Sequence, residues 1–157
     1  MAPTTARHTR LSLAREAGDA LRAMSAFSRS VELDPSLREL VNLRASQLNG
    51  CAYCVDMHTR DARENGETER RLYALAAWRG SPLFSERERE RAALALTEAI
   101  TLLPQAGVPD ALYEAAAQEF PTPEIAQLLM AIAAINSWNR LMVASGAIFK
   151  APEDSAS

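Results

Sequence analysis

Two cysteines and a histidine lie within eight positions of this 157-residue chain, as Cys51-Ala52-Tyr53-Cys54 and then His58. An α-helix repeats every ~3.6 residues, so offsets of three and then four place the two thiols and the imidazole on one side of a helix. Residues three apart on a helix are about 5–6 Å from each other, which a disulfide can span. The two thiols can therefore open and close a disulfide with little movement of the backbone.

His58 follows Cys54 by one helical turn, where it can accept the thiol proton or hold a thiolate as imidazolium. The thiolate, not the thiol, is the nucleophile. Asn49-Gly50 predicts the end of one helix directly before the motif, which places both cysteines in the first turn of the next. Unpaired N–H groups and the helix dipole there favour a thiolate by ~0.3–1 kcal/mol.

A second acid can reach this motif from the helix before it. Asp34 is a good N-cap and Pro35 a good first helical residue, so we predict a helix from there to about Asn49. If this helix packs antiparallel to the cysteine helix, Glu39 approaches His58, orients its ring and takes part in proton transfer.

The spacing of Glu39, Cys51, Cys54 and His58, together with the sequence 43–59 around the cysteines, resembles that of the alkylhydroperoxidase AhpD-like family of the carboxymuconolactone decarboxylase superfamily. Four later segments extend the resemblance in the family's order: 75–78, 84–85, 90–101 and 135–140. The resemblance covers residues 33 to 145, approximately. The ordered segments make it far more specific than a CxxC motif alone.

The resemblance implies an all-helical antioxidant fold in which Cys54 is the peroxidatic cysteine and is oxidised to sulfenic acid. It also implies that Cys51 is the resolving partner and proton donor, and that Glu39 and His58 form the proton relay that activates Cys54. The best-studied AhpD branch has a second histidine inside the CxxC, where this chain has Tyr53. Relatives form trimers and hexamers, so we expect a homo-oligomer.

Composition limits the class of protein. The length and the 48% hydrophobic content suit one helical domain over residues 1–150, followed by a disordered tail at 151–157. A formal charge of −3 argues against nucleic acid as the main partner. The N-terminal residues lack the apolar core of a signal peptide, and no stretch approaches the ~20 apolar residues of a membrane span. We therefore expect a cytoplasmic protein with no membrane partner.

Helical periodicity and Gly/Pro punctuation predict an all-α bundle of about six to eight helices, with no β pattern. A first helix should cover about 11–30, and Asn65-Gly66 should end the cysteine helix. The next predicted helix covers about 68–78 and ends at Gly80. A capping box at Ser85 and Glu88 should begin a long helix that runs to 103. Two more helices should begin at Pro109 and at Pro121. The segment 128–148 is apolar on more than one face, which again favours a homo-oligomer.

A structural role and a metal site are the alternatives to a redox site. The two cysteines can be buried thiols that only pack, because free cysteine is among the most buried residue types. Cys51, Cys54, His58 and Glu39 can also be four zinc ligands, although structural zinc sites usually gather ligands from two separate loops. We predict a redox pair, with neither a metal nor a cofactor.

The leading functional hypothesis is a thiol-dependent peroxidase that reduces hydrogen peroxide or organic hydroperoxides. An external dithiol, such as a lipoyl or thioredoxin-like protein, must then reduce the disulfide. The alternative is a dithiol–disulfide oxidoreductase or redox sensor with little peroxidase activity. A non-enzymatic helical assembly module is a third class. Lactone decarboxylation is least expected, because the dithiol motif marks the peroxidase-like branch.

Overall fold

Helices form all the regular structure in residues 9–148, the part of the chain that the computed structural model describes. The eight α-helices are α1 (Leu13–Glu16), α2 (Gly18–Ser30), α3 (Pro35–Leu48), α4 (Ala52–Glu64), α5 (Glu69–Ala74), α6 (Glu88–Leu102), α7 (Asp110–Glu119) and α8 (Thr122–Ser145). Two 3₁₀ segments, Leu75–Gly80 and Pro82–Phe84, connect α5 to α6. This architecture confirms the predicted all-α bundle in a single domain. The predicted tail at 151–157 lies outside the described residues.

Helix α3 lies at the centre of the bundle, against α4, α6 and α8. It begins as its sequence predicts, because Asp34 accepts a hydrogen bond from the Leu37 N–H at 2.9 Å and Pro35 occupies the first helical position. It ends at Leu48, and Gly50 follows with φ of 64°. That left-handed backbone costs most residues energy but not glycine, so the chain turns here.

Two groups of buried apolar side chains make up the core, and α3 contributes to both. The first joins α3 to α6, α7 and α8, and its members are Val31, Leu33, Leu37, Val41, Ala93, Leu96, Ala116, Phe120, Ile125, Leu128, Ala131 and Ile132. The second joins α3 to α4, α5, α6 and the 3₁₀ segments, and its members are Leu40, Leu43, Ala62, Leu72, Leu75, Trp78, Phe84 and Leu94. Each large side chain buried here stabilises the fold by about 1.5–3 kcal/mol, so α3 is held from two sides.

Helix α8 is the longest element, at 24 residues. Its most apolar 18-residue window has a mean hydropathy of 1.2, so by length and composition alone it is able to cross a membrane. The expectation that no segment approaches a membrane span is therefore wrong for this helix. Its apolar character has a local use in the fold, because α8 packs against α2, α3, α4, α6 and α7.

The predicted first helix at 11–30 is interrupted. Ala17 leaves the helical region, with φ of −140°, and separates the four-residue α1 from α2, which begins at Gly18. Glycine in a helix costs ~1 kcal/mol relative to alanine, so an interruption of the helix next to Gly18 loses little free energy. The predicted helix at 68–78 is also shorter than expected, because the chain tightens into 3₁₀ geometry after Ala74.

The predicted capping box at Ser85 and Glu88 is wrong. The Ser85 hydroxyl donates to the carbonyl of Pro82 at 2.9 Å, which ends the preceding 3₁₀ turn. Helix α6 instead begins at Glu88 without a side-chain cap, after Arg87. The two proline signals are confirmed, since α7 and α8 begin directly after Pro109 and Pro121.

Candidate active site

Cys51 and Cys54 form a disulfide at the start of α4, with their Cα atoms 5.3 Å apart. Cys51 is the N-cap of the helix, and its sulfur accepts a hydrogen bond from the Cys54 N–H at 3.3 Å. The predicted position in the first turn is thus correct. A sulfur at this place meets the positive end of the helix dipole, which favours negative charge on it.

Backbone hydrogen bonds fix the turn that delivers Cys51. The Cys51 N–H donates to the Ser46 carbonyl at 3.0 Å, and the Gly50 N–H donates to the Gln47 carbonyl at 3.2 Å. These contacts satisfy carbonyls at the end of α3 that would otherwise lack partners. Helix α4 then packs against α3, which brings Glu39, in the second turn of α3, to His58, in the second turn of α4.

Glu39 and His58 meet across this helix pair, as the sequence predicted. Glu39 Oε2 and His58 Nδ1 are 2.7 Å apart, and both side chains are about nine-tenths buried. The Asn42 amide donates to the other Glu39 oxygen at 3.5 Å, and Arg38 Nε lies 3.9 Å from it. A carboxylate only accepts hydrogen bonds, so the proton of a neutral ring belongs on Nδ1 and Nε2 remains free to accept one.

A cavity of about 710 Å³ connects the reactive groups. Cys54, His58 and Glu39 all line it, whereas Cys51 is not among the described residues that do. Each cysteine is only 1% exposed, so a reagent reaches Cys54 through the cavity. The arrangement therefore presents one sulfur, one imidazole and one carboxylate to whatever enters.

Asp61 is a further acid beside this pair, and the sequence reasoning missed it. Single donor atoms of Glu39, His58 and Asp61 all lie within 4.8 Å of one another. Burial, and then the charge of Glu39, raise the pKa of the Asp61 carboxyl, while His58 lowers it. Its position three residues after His58, on the same helix face, is the signal that could have found it.

The same three residues are the natural place to look for a metal. Ligands of one tetrahedral zinc ion, bound at about 2.0–2.1 Å, lie roughly 3.3 Å from each other. The 2.7 Å separation in the Glu39–His58 pair is shorter and is that of a hydrogen bond. The zinc set that includes Cys51 and Cys54 does not fit this state either, because sulfurs joined in a disulfide offer no thiolate.

A buried amide network braces the turn before Cys51, and it too was not predicted. The Asn49 amide donates to the side-chain oxygens of Asn136 and Asn139, at 2.9 and 2.8 Å. Asn139, which is fully buried, donates in turn to the Ser46 hydroxyl at 3.0 Å. Asn136 also donates to Thr101 at 3.0 Å. The network ties the end of α3 to α6 and α8, and so braces the turn that leads to Cys51.

Comparisons with known proteins show the family of this chain. Residues 15–99, more than half of the chain, match the carboxymuconolactone decarboxylase family. YdfG of Bacillus subtilis (strain 168), an uncharacterized protein, is 44% identical over 123 residues, which are 78% of this chain and 82% of YdfG.

Two solved structures share the fold. A protein of unknown function from Agrobacterium tumefaciens, described as a proposed AhpD antioxidant defence protein, has a TM-score of 0.85 and 36% identity, over 92% of this chain and 100% of its own. An uncharacterized peroxidase-related protein from Silicibacter sp. TM1040 has a TM-score of 0.74 and 22% identity, over 85% of this chain and 72% of its own. At that identity the second structure shows the fold alone. The matched segment, with the identity to YdfG and to the Agrobacterium protein, shows that the chain belongs to the carboxymuconolactone decarboxylase family, among its AhpD-like members.

Proposed function

We propose that this protein is a thiol-dependent peroxidase that reduces hydrogen peroxide or organic hydroperoxides. One observation carries the proposal: a cysteine of a closed disulfide lines the same cavity as a hydrogen-bonded glutamate and histidine. The reaction needs a cysteine pair that can be oxidised and neighbouring side chains that can transfer a proton.

In the reduced enzyme His58 removes the proton from Cys54, and Glu39 holds the ring so that Nε2 accepts it. The Cys54 thiolate attacks the terminal oxygen of the hydroperoxide. The S–O bond forms, the O–O bond breaks and the sulfur loses two electrons, which gives a sulfenic acid. The leaving alkoxide or hydroxide takes the proton from His58 and departs as an alcohol or water.

Cys51 completes the first half of the cycle. Its sulfur attacks the sulfenic sulfur of Cys54, so that an S–S bond forms and water leaves with the Cys51 proton. An external dithiol, from a lipoyl or thioredoxin-like protein, then supplies two electrons and reopens the disulfide. We place the cycle in the cytoplasm, where such reductants are abundant. We also propose a homo-oligomer, because Met130 and Val143 leave apolar surface exposed on α8.

Two cysteine variants test the assignment of roles. Cys54→Ser should abolish peroxide turnover, because the attacking sulfur is lost. Cys51→Ser should consume one equivalent of peroxide and stop at the sulfenic acid, which mass spectrometry after dimedone trapping detects. If both variants turn over peroxide like the parent enzyme, the scheme is wrong.

The proton relay has its own test. Glu39→Gln keeps the shape of the side chain but removes its charge, and should lower kcat/KM by roughly ten- to a hundred-fold, while His58→Ala should lower it by roughly 10²–10³-fold. Asp56→Asn is the matched control, since Asp56 is an acid on α4 that pairs with Arg60 and does not line the cavity. A pH–rate profile that stays the same in the His58 variant would remove this histidine from the relay.

A dithiol–disulfide oxidoreductase or redox sensor is the second candidate. The observation in its favour is Tyr53, which lies between the cysteines and lines the cavity, so that His58 is the one histidine lining it among residues 9–148. Steady-state peroxide consumption with dithiothreitol or dihydrolipoamide separates the two functions. Rapid reduction of the disulfide without peroxide turnover would favour the oxidoreductase.

A further inference from the structure

The walls of the cavity beside Cys54 are mostly carbon. Leu21, Val31, Met57, Ile135 and Met142 are among its lining side chains. Its volume of about 710 Å³ falls within the ~300–1,000 Å³ of pockets that bind organic molecules of drug size. Hydrogen peroxide is nearly as small as water, which occupies ~30 Å³ in the liquid. Walls of this kind stabilise a hydrocarbon chain and leave hydrogen peroxide without partners.

The polar side chains that line the cavity are mostly engaged with other protein groups. Ser28 accepts a hydrogen bond from the Trp138 indole at 2.7 Å. Asn42 donates to Glu39, and Arg38 donates to the Val31 carbonyl at 3.4 Å. Ser28 and Asn42 are thus engaged with the protein, whereas Arg38 keeps further N–H groups but already has a carboxylate partner, since its Nε lies 3.9 Å from Glu39 Oε1.

Arg29 is different. It lies in the last turn of α2, and it is both exposed to solvent and one of the residues that line the cavity. Within residues 9–148 it forms no salt bridge, and Glu39, the one carboxylate in the lining, is already paired with His58. A solvent-exposed arginine without a carboxylate partner, among the residues that line an apolar cavity, suits an anion attached to a carbon chain.

We propose that the substrate of this site is an organic hydroperoxide with a hydrocarbon chain and a carboxylate group. The chain lies against the apolar walls, the carboxylate binds Arg29 and the peroxide meets Cys54. This inference rests on the proposed peroxidase function and names its substrate class. The reaction is the peroxidase reaction proposed for this site: the O–O bond of the hydroperoxide breaks, the Cys54 sulfur gains the terminal oxygen, and the rest of the substrate leaves as a hydroxy acid.

The first test compares linoleic acid hydroperoxide with its methyl ester, both below their micelle concentrations. Oxidation of the pre-reduced enzyme is followed by rapid quenching and mass spectrometry. The acid should react about five-fold faster than the ester, as expected for one ion pair near the surface. The excess should shrink as salt rises from about 50 to 500 mM, because the Debye length shortens. Equal rate constants for acid and ester would overturn the proposal.

Three variants assign the effect to Arg29. Arg29→Gln should bring the ratio of acid to ester close to one, whereas Arg29→Lys, which keeps the charge, should retain most of it. Arg22→Gln is the matched control, because Arg22 is an exposed arginine on the same helix that pairs with Asp19 and does not line the cavity. A ratio that survives in Arg29→Gln, or that Arg22→Gln lowers as much, contradicts the assignment.

A binding measurement separates failure of this inference from failure of the proposed function. Linoleate and methyl linoleate, which carry no peroxide, are titrated into the disulfide-bonded protein while the fluorescence of Trp138 in the cavity wall is followed. If no peroxide oxidises the enzyme but linoleate binds more tightly than its ester, and Arg29→Gln removes the difference, the peroxidase function fails and the ligand class stands. If peroxides turn over without any preference for the acid, the function stands and the ligand class fails.

Discussion

Replacing Asn139 by alanine should destabilise the protein and loosen the turn that carries the disulfide. The side chain is fully buried, accepts a hydrogen bond from Asn49 and donates one to Ser46. Each lost hydrogen bond costs about 1 kcal/mol, and the space left by the amide adds to this, so we expect about 2–4 kcal/mol in total. For a chain of this size the loss corresponds to a fall in Tm of roughly 5–12 °C.

The assay is differential scanning calorimetry together with the rate at which dithiothreitol reduces the disulfide. The rate should increase in Asn139→Ala, because the turn before Cys51 keeps only the Asn49–Asn136 hydrogen bond to α8 and loses the two that Asn139 makes with Asn49 and Ser46. Ser137→Ala is the matched control: its exposed hydroxyl donates only to the Ala133 carbonyl within its own helix, and we expect a change within about 0.5 kcal/mol. If Asn139→Ala resembles the control in both measurements, the amide network does not hold the turn.

Three further predictions concern single positions. The pKa of Asp61 is raised in the folded protein, so its contribution to stability is complete below the unfolded pKa of 3.8 and is lost as the pH rises through the folded pKa. Asp61→Asn should therefore raise Tm at pH 7 but not at pH 3. A gain in Tm that is the same at both pH values would contradict the raised pKa. Gly50→Ala should cost about 1–2 kcal/mol by urea unfolding, because φ is +64° there although the added methyl group meets no atom within 4 Å. Asp34→Ala should lower the free energy of unfolding by about 1 kcal/mol, because it removes an N-cap. Ser85→Ala should change it by no more than about 0.5 kcal/mol, because Ser85 does not cap α6. Equal losses in the two variants would indicate that Ser85 does act as a cap.

The part of the site made by α3 and α4 could be predicted because its signals are local. Asp34 begins one helix and Gly50 separates it from the next. Two adjacent helices joined by a short turn pack against each other, so the register of Glu39 against His58 follows from counting residues back from that turn. These contacts span 19 residues or fewer in the sequence.

Contacts between distant segments could not be predicted. The Asn49 amide meets Asn136 and Asn139, which are 87 and 90 positions away, and no periodicity in the sequence relates them. Arg29 joins the cavity for a similar reason, since its place depends on how α2 packs against α8. The break at Ala17 was missed because the apolar pattern continues across it and conceals the change in backbone direction.

The opening of the cavity onto Cys54 alone has a kinetic consequence. Under the proposed function, an oxidant that arrives from solvent and a thiol that later restores the enzyme both reach Cys54, since it is the cysteine that lines the cavity. The two reagents therefore cannot occupy the enzyme together, and initial rates should follow a ping-pong pattern with parallel lines in double-reciprocal plots. Each reagent at high concentration should also inhibit the half-reaction of the other.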